Sequence, residues 1–176
     1  MKLTITAVNQ LSKNEFVQYF SQVVEHSPWV AENTYDARPF ESLTHLHQKM
    51  AQTVLSADES TWKKILNLHP ELSGKEAQEG RLTDFSVSEQ AGLGLNALSR
   101  DEFQKIQQFN KDYRAKFGFP FVVCVRLLKN RAQLFHEMER RLSLTPENEL
   151  RTGIEQVMEI CRLRLEGLVF ESMEQV

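Results

Sequence analysis

Cysteine is scarce: Cys124 and Cys161 stand alone in the apolar contexts Val123-Cys124-Val125 and Ile160-Cys161. A disulfide scaffold is therefore excluded, and both thiols are expected to act as small core hydrophobes in a reducing cytosol; a catalytic thiol is the lesser alternative. With 7 glycines and 5 prolines the chain is neither collagen-like nor low-complexity. Neither sign of charge dominates, with 21 Lys+Arg against 24 Asp+Glu and a net charge of -3. The densest basic spots, Arg140-Arg141 and Arg162 with Arg164, are too small to track phosphates, so no nucleic-acid partner is expected. The longest strongly apolar stretch, Phe119 to Val125, contains Pro120 and falls far short of the ~20 residues of a membrane helix, so no membrane association is expected. The opening Met1-Lys2-Leu3-Thr4-Ile5-Thr6 has no apolar core of signal-peptide length, and the closing Met173-Glu174-Gln175-Val176 has no peroxisomal ending; a cytoplasmic protein is the expectation. A Gly-rich phosphate loop, an HExxH pair and a CxxC pair are all missing.

What is present is enough for one domain, taken as residues 1-176: 41% of the chain is hydrophobic and 26% charged. A chain of this length buries roughly 70% of the surface it exposes when unfolded, so its core needs no covalent or metal staple. The apolar spacing is helical nearly throughout. Ser12 with Glu15 forms a capping box before Phe16, Phe20, Val23 and Val24. A helix from about Glu41-Ser42 turns Leu43, Leu46, Met50 and Val54 inward, and another from Asp58 carries Trp62, Ile65 and Leu66. It ends near His69, because Pro70 disfavours helix in the residue before it. Glu71 to Thr83 has no apolar period and is expected to be a loop. Ser86 with Glu89 is expected to cap a short helix through Leu95, and Ser99 with Glu102 a longer one with Phe103, Ile106, Phe109 and Tyr113 inward. Phe117 to Val125 cannot be regular helix at Pro120; with no partner strand in sight, an extended buried segment is favoured. Helix resumes over Asn130 to Leu144, with Leu134, Met138 and Leu142 inward. A last helix from Pro146 to about Phe170 repeats Leu150, Ile154, Val157, Cys161, Leu165 and Leu168. The sum is an all-α, irregular single-domain bundle of seven to eight helices.

Some residues are out of place in a mere bundle. His69, at a helix end, either faces the helix dipole or does acid-base work. Glu89 is a capping-box glutamate or, with Ser86 and Gln90, part of a polar set at a helix N-terminus. Arg164 has no acidic neighbour at three or four residues on its own helix, unlike Arg162 with Glu159 and Glu166. Arg164 is thus either a solvated, snorkelling side chain or a carboxylate receptor. His45 and His47 invite a metal reading, but two residues apart on a helix they point to different faces. His26 and His136 read as surface residues.

Several segments together carry a resemblance: Glu25-His26-Ser27-Pro28-Trp29-Val30-Ala31, Arg38-Pro39-Phe40, His69-Pro70-Glu71-Leu72-Ser73-Gly74, Ser86-Val87-Ser88-Glu89-Gln90-Ala91 with Gly94-Leu95, Asn110-Lys111-Asp112-Tyr113, Lys116-Phe117-Gly118-Phe119-Pro120-Phe121-Val122-Val123, Arg141-Leu142 and Ile160-Cys161-Arg162-Leu163-Arg164-Leu165. In this order they resemble the 2-oxo-4-hydroxy-4-carboxy-5-ureidoimidazoline (OHCU) decarboxylases. The resemblance implies an all-α homodimer without metal or organic cofactor, acting on a small ureide and releasing (S)-allantoin in urate degradation. It implies His69 as the catalytic histidine and Glu89 as its acidic partner, with the two roles open to exchange. Ser86, Gln90 and Arg164 resemble substrate-holding groups, and backbone around Phe121, Val122 and Val123, with Phe119 and Pro70, resembles the pocket wall. The family usually has Asp and Ala where this chain has Glu71 and Ser73, and often Gly where Leu127 follows Arg126. Competing readings are a helical interaction module and a cofactor-free lyase or hydrolase for another ureide.

Overall fold

The computed structural model describes residues 1–171; the C-terminal Met173-Glu174-Gln175-Val176 segment lies outside them. Ten α-helices are present among the described residues. They are α1 (Ile5–Gln10), α2 (Lys13–Phe20), α3 (Pro28–Thr34), α4 (Leu43–Leu55), α5 (Glu59–Leu68), α6 (Lys75–Gln78), α7 (Asp84–Gly92), α8 (Arg100–Phe117), α9 (Arg131–Leu142) and α10 (Pro146–Leu168). Short 3-10 turns cover Tyr35–Ala37 and Val125–Leu127. The only β pairing among the described residues is an isolated bridge between Leu3 and Val169. The all-α class expected from periodicity is what is found.

Local chemistry accounts for most boundaries. Ser12 and Ser99 make full capping boxes with Glu15 and Glu102, each satisfying two otherwise orphaned N–H groups. Ser42 and Asn130 cap α4 and α9. Gly118, at φ 78°, closes α8 in the left-handed conformation that a side chain disfavours. Eight of the ten helices span seven residues or more, in keeping with the seven to eight expected, while α1 and α6 are very short. Three expectations need correction. Glu71 to Thr83 is not all loop, since α6 lies within it. Ser86 is not a cap: Thr83 caps α7, its hydroxyl accepting from the Ser86 N–H, and Ser86 is buried inside the helix. The helix ends at Gly92 rather than Leu95.

The chain forms two compact units, Met1–Ile65 with the chain from Met158, and Leu66–Val157. In the first, α3 packs on α2 and α4 around Phe16, Phe20, Val30, Leu46, Met50 and Val54, all buried. Burying each such side chain contributes ~1.5–3 kcal/mol. Asn9 fixes the chain at Phe40 by bonding its backbone twice, accepting from the N–H and donating to the C=O, both at 2.8 Å.

The second unit is centred on an aromatic cluster. The Tyr113 ring lies 4.5 Å from Phe117, 5.4 Å from Phe121 and 6.1 Å from Phe119. Phe119 to Val125 is buried and Phe119 to Cys124 lacks helix or strand, as expected from Pro120. Its backbone polar groups still need partners. Arg141 Nη1 donates to the Val122 C=O at 2.6 Å, and the Cys124 N–H donates to Gln156 Oε1 at 2.9 Å. Among the described residues no helix is long and apolar enough to cross a membrane.

Candidate functional site

Three elements of the second unit hold most of the site residues expected from sequence: the loop after α5, helix α7 and the extended segment after α8. Helix α5 stops at Leu68, immediately before His69-Pro70. His69 is buried, 6% exposed, and its backbone N–H reaches back to the Leu66 C=O. Pro70 beside it is half-buried. The chain then turns sharply at Ser73, whose φ of 49° lies in the left-handed region. That conformation is costly for a residue with a Cβ and persists only where surroundings impose it.

The surroundings of Ser73 do impose it. Its N–H donates to Gln90 Oε1 at 3.0 Å, and its hydroxyl donates to the Leu95 C=O at 3.2 Å. An alanine there would leave the buried Leu95 carbonyl without that donor. The bond to Gln90 ties the His69 loop to α7, which carries Glu89. On that helix Ser86, Glu89 and Gln90 are spaced three and four residues apart and share a face. Ser86 and Gln90 are buried, and Glu89 is half-buried.

Adjacent residues of α7 nonetheless serve different hollows. Glu89 lines a cavity of about 340 Å³ with Phe85, Ser88, Val125, Arg126 and Lys129. One carboxylate and two cations on its wall suit a small, polar, anionic guest, and the volume sits at the lower end of the ~300–1,000 Å³ usual for ligand sites. Gln90 and Ser73 line another cavity, of about 760 Å³. Phe119 and Phe121 turn their rings into the aromatic cluster and are 2% exposed. Val122 and Val123 are also buried, and the Val122 carbonyl is engaged by Arg141.

Arg164 belongs to the first unit. It is 1% exposed, so the solvated, snorkelling reading is corrected. Its guanidinium meets the buried Glu25 carboxylate at 2.7 Å and donates to the Gln22 C=O at 3.0 Å. The carboxylate it meets is the protein's own. Arg162 behaves as the spacing suggests, half-exposed and paired with Glu159 and Glu166 on its own helix. Glu25, the buried partner of Arg164, was not among the site residues expected from sequence.

The remaining candidates are placed simply. His45 Nδ1 accepts from the Glu41 N–H, and His47 Nε2 lies 3.0 Å from the Met158 C=O. Among the described residues no group of three His, Cys, Asp or Glu could hold a metal ion. His26 and His136 are exposed. Cys124 and Cys161 are buried and unlinked. Burial pushes the Cys161 thiol up to about 12, which keeps it protonated and unreactive at neutral pH.

A family model described as OHCU decarboxylase matches residues 9–166. The chain is 38% identical over 167 residues to the 2-oxo-4-hydroxy-4-carboxy-5-ureidoimidazoline decarboxylase of Mus musculus, covering 95% of this chain and 93% of that protein. It is also 38% identical over 164 residues to the Haloferax volcanii protein of the same name, covering 93% and 95%. Among solved structures it resembles an (S)-allantoin synthase with TM-score 0.75 at 23% identity, covering 94% of this chain and 54% of that one. It resembles an OHCU decarboxylase solved in the presence of (S)-allantoin with TM-score 0.65 at 18% identity, covering 86% and 96%. The structural likenesses establish a shared fold; the sequence matches, which run nearly end to end, establish that the chain belongs to the OHCU decarboxylase family.

Proposed function

We propose that this protein is a carboxy-lyase that converts OHCU to (S)-allantoin in urate degradation. The observation that carries the reading is the reach of the family match: residues 9–166 include every candidate site residue from His69 to Arg164. The same reach supports reading residues 1–176 as one such domain.

The substrate is a small ring bearing a carboxylate and a hydroxyl on one carbon and a ureido arm on the next. When the bond to the carboxylate breaks and CO2 leaves, its electron pair forms a C=C bond to the ureido-bearing carbon, and the C=N pair of that carbon moves onto its ring nitrogen, which takes up a proton. The hydroxyl then gives up its proton to become a carbonyl, and a proton arrives on one face of the ureido-bearing carbon. Handedness requires a titrating group on that face alone. His69 is assigned this proton, since imidazole titrates near neutral pH and a buried site limits competing delivery from water. Glu89 is its acidic partner and accepts from ring or ureido N–H groups. Ser86 and Gln90 offer hydroxyl and amide to the polar edges, and the family resemblance gives Arg164 the role of holding an anionic edge. Phe119 and Pro70 supply a dry lining, against which loss of a carboxylate as neutral gas is favoured, and the backbone of Phe121, Val122 and Val123 forms part of the wall. No step in this scheme calls for a metal or an organic cofactor.

Cellular setting belongs to the same proposal. Buried, unlinked thiols support a cytoplasmic enzyme, and the family resemblance supports a homodimer, which sedimentation would test.

The deciding experiment mixes urate, urate oxidase, a hydroxyisourate hydrolase and this protein. Faster decay of OHCU absorbance with allantoin of the S hand is expected, and His69→Asn lowers kcat by ~10²–10⁴-fold, the usual contribution of a general acid-base group. Unaccelerated decay removes the activity, and an unchanged rate in His69→Asn removes the role of His69 alone.

A further inference from the structure

Helix α8 carries a row of polar side chains that the proposed chemistry does not use. Gln107, Asn110 and Arg114 are spaced three and four residues apart and therefore lie on one face. All three reach to the loop around His69. Gln107 Nε2 donates to the Ser73 C=O at 2.8 Å, and Asn110 Nδ2 donates to the Leu72 C=O at 3.0 Å. Arg114 Nε donates to Glu71 Oε1 at 2.8 Å, and its Nη1 donates to Asn67 Oδ1 at 3.1 Å. Successive residues up the helix meet successively earlier residues of the loop, so the two run antiparallel.

The contacts bracket His69. Asn67 precedes it, and Glu71, Leu72 and Ser73 follow it. Two of the bonds go to main-chain carbonyls, so they hold the path of the backbone and not merely a side chain. Asn110 and its bond to Leu72 are buried, where a carbonyl stripped of its donor has little water to turn to. The loop needs such restraint, because Ser73 sits in the left-handed region and a short segment between helix ends has few hydrogen bonds of its own.

We infer that Gln107, Asn110 and Arg114 are the positioning residues for His69. They touch no reacting atom; they set where the imidazole stands. The inference rests on the reading of His69 as the proton-transfer group. A displacement of the order of 1 Å in such a group is enough to lower a rate by ~10²-fold.

The test compares Asn110→Leu, Gln107→Leu and Arg114→Met with wild type in the coupled assay, well below each variant's Tm. Asn110→Leu is expected to lower kcat by ~10–100-fold with KM within about threefold, because substrate contacts are untouched. Arg114 is exposed, so Arg114→Met keeps the fold even where the buried variants lose it, and a kcat loss of several-fold is expected. The His69 imidazole resonance, assigned by its disappearance in His69→Asn, should shift in each variant; a merely stabilising stripe would lower Tm and leave kcat and that resonance in place. With His69→Asn inactive, kcat within about twofold of wild type in folded Asn110→Leu and in Arg114→Met overturns the inference. Full activity in His69→Asn overturns the reading of His69 instead.

Discussion

The Ser73 N–H donates to the side-chain carbonyl of Gln90 at 3.0 Å, both residues being buried. That bond joins the segment carrying His69 to the helix carrying Glu89. It gives Gln90 a structural task beside the substrate-holding one proposed for it.

Replacing Gln90 separates the two tasks. Gln90→Leu removes the acceptor from a buried N–H, which costs ~1–3 kcal/mol, and should lower kcat as the Ser73 turn relaxes. Gln90→Glu keeps an acceptor there and should retain more of the rate. An increase confined to KM in both variants would assign Gln90 to substrate and not to the loop. Thermal melts and steady-state kinetics on the same preparations decide it.

Arg164→Ala should damage the fold as well as the substrate binding proposed for it. It withdraws a guanidinium from a fully buried carboxylate, and breaking a buried pair from one side costs ~3–5 kcal/mol. Arg164→Ala combined with Glu25→Ala should recover part of that loss, because no buried charge is stranded. A Tm of Arg164→Ala equal to wild type would show that the pair contributes nothing to stability. KM of the double variant then reports the substrate role by itself.

Arg141 is the corresponding pin of the extended segment. It pairs with Glu149, lies 4.4 Å from the Phe121 ring centroid and donates to the Val122 C=O, while the Tyr113 hydroxyl donates to Glu149 at 2.5 Å. Burial raises the Tyr113 hydroxyl far above its usual range, with the Glu149 hydrogen bond adding to it, so it remains a donor. Glu149→Ala should cost ~3–5 kcal/mol in a denaturant melt. A loss under about 1 kcal/mol, the typical net worth of an ordinary hydrogen bond, would show that the network is not what holds this segment.

Acid should weaken the helix starts. Hydrogen bonds from the Ser12 side chain and N–H hold Glu15 below its ordinary 4.5, bonds from Thr61 hold Asp58 below 3.8, and the Ser99 N–H with Arg131 holds Glu102 below 4.5. A carboxyl lowered by folding contributes stability that is complete above its unfolded value and is lost as pH falls through the lower folded one. The Tm difference between wild type and Glu102→Ala should therefore be constant above pH 4.5 and shrink below it. A difference that persists unchanged well below that pH would contradict the capping role.

The helical pattern was legible in the chain because it is local. Ser12-Glu15 and Ser99-Glu102 announce helix starts within four residues, and the inward residues Leu46, Met50 and Val54, or Ile154, Val157 and Cys161, are buried as their period requires. The break at Phe119-Pro120 follows from the proline ring. Thr83 and Ser86 could each cap a helix by composition; burial of Ser86 chose Thr83. The short α6 carried no period long enough to read.

Family membership was also written in the sequence, in segments whose residues match in order. Their side-chain partners were not. That Arg164 faces Glu25, that Arg141 faces Glu149 and Val122, and that Gln90 holds Ser73 in a left-handed turn are facts of tertiary structure alone. Periodicity encodes which face of a helix is buried. It carries no information on which distant segment meets that face, and buried polar groups take their partners from whatever the fold brings within hydrogen-bond reach.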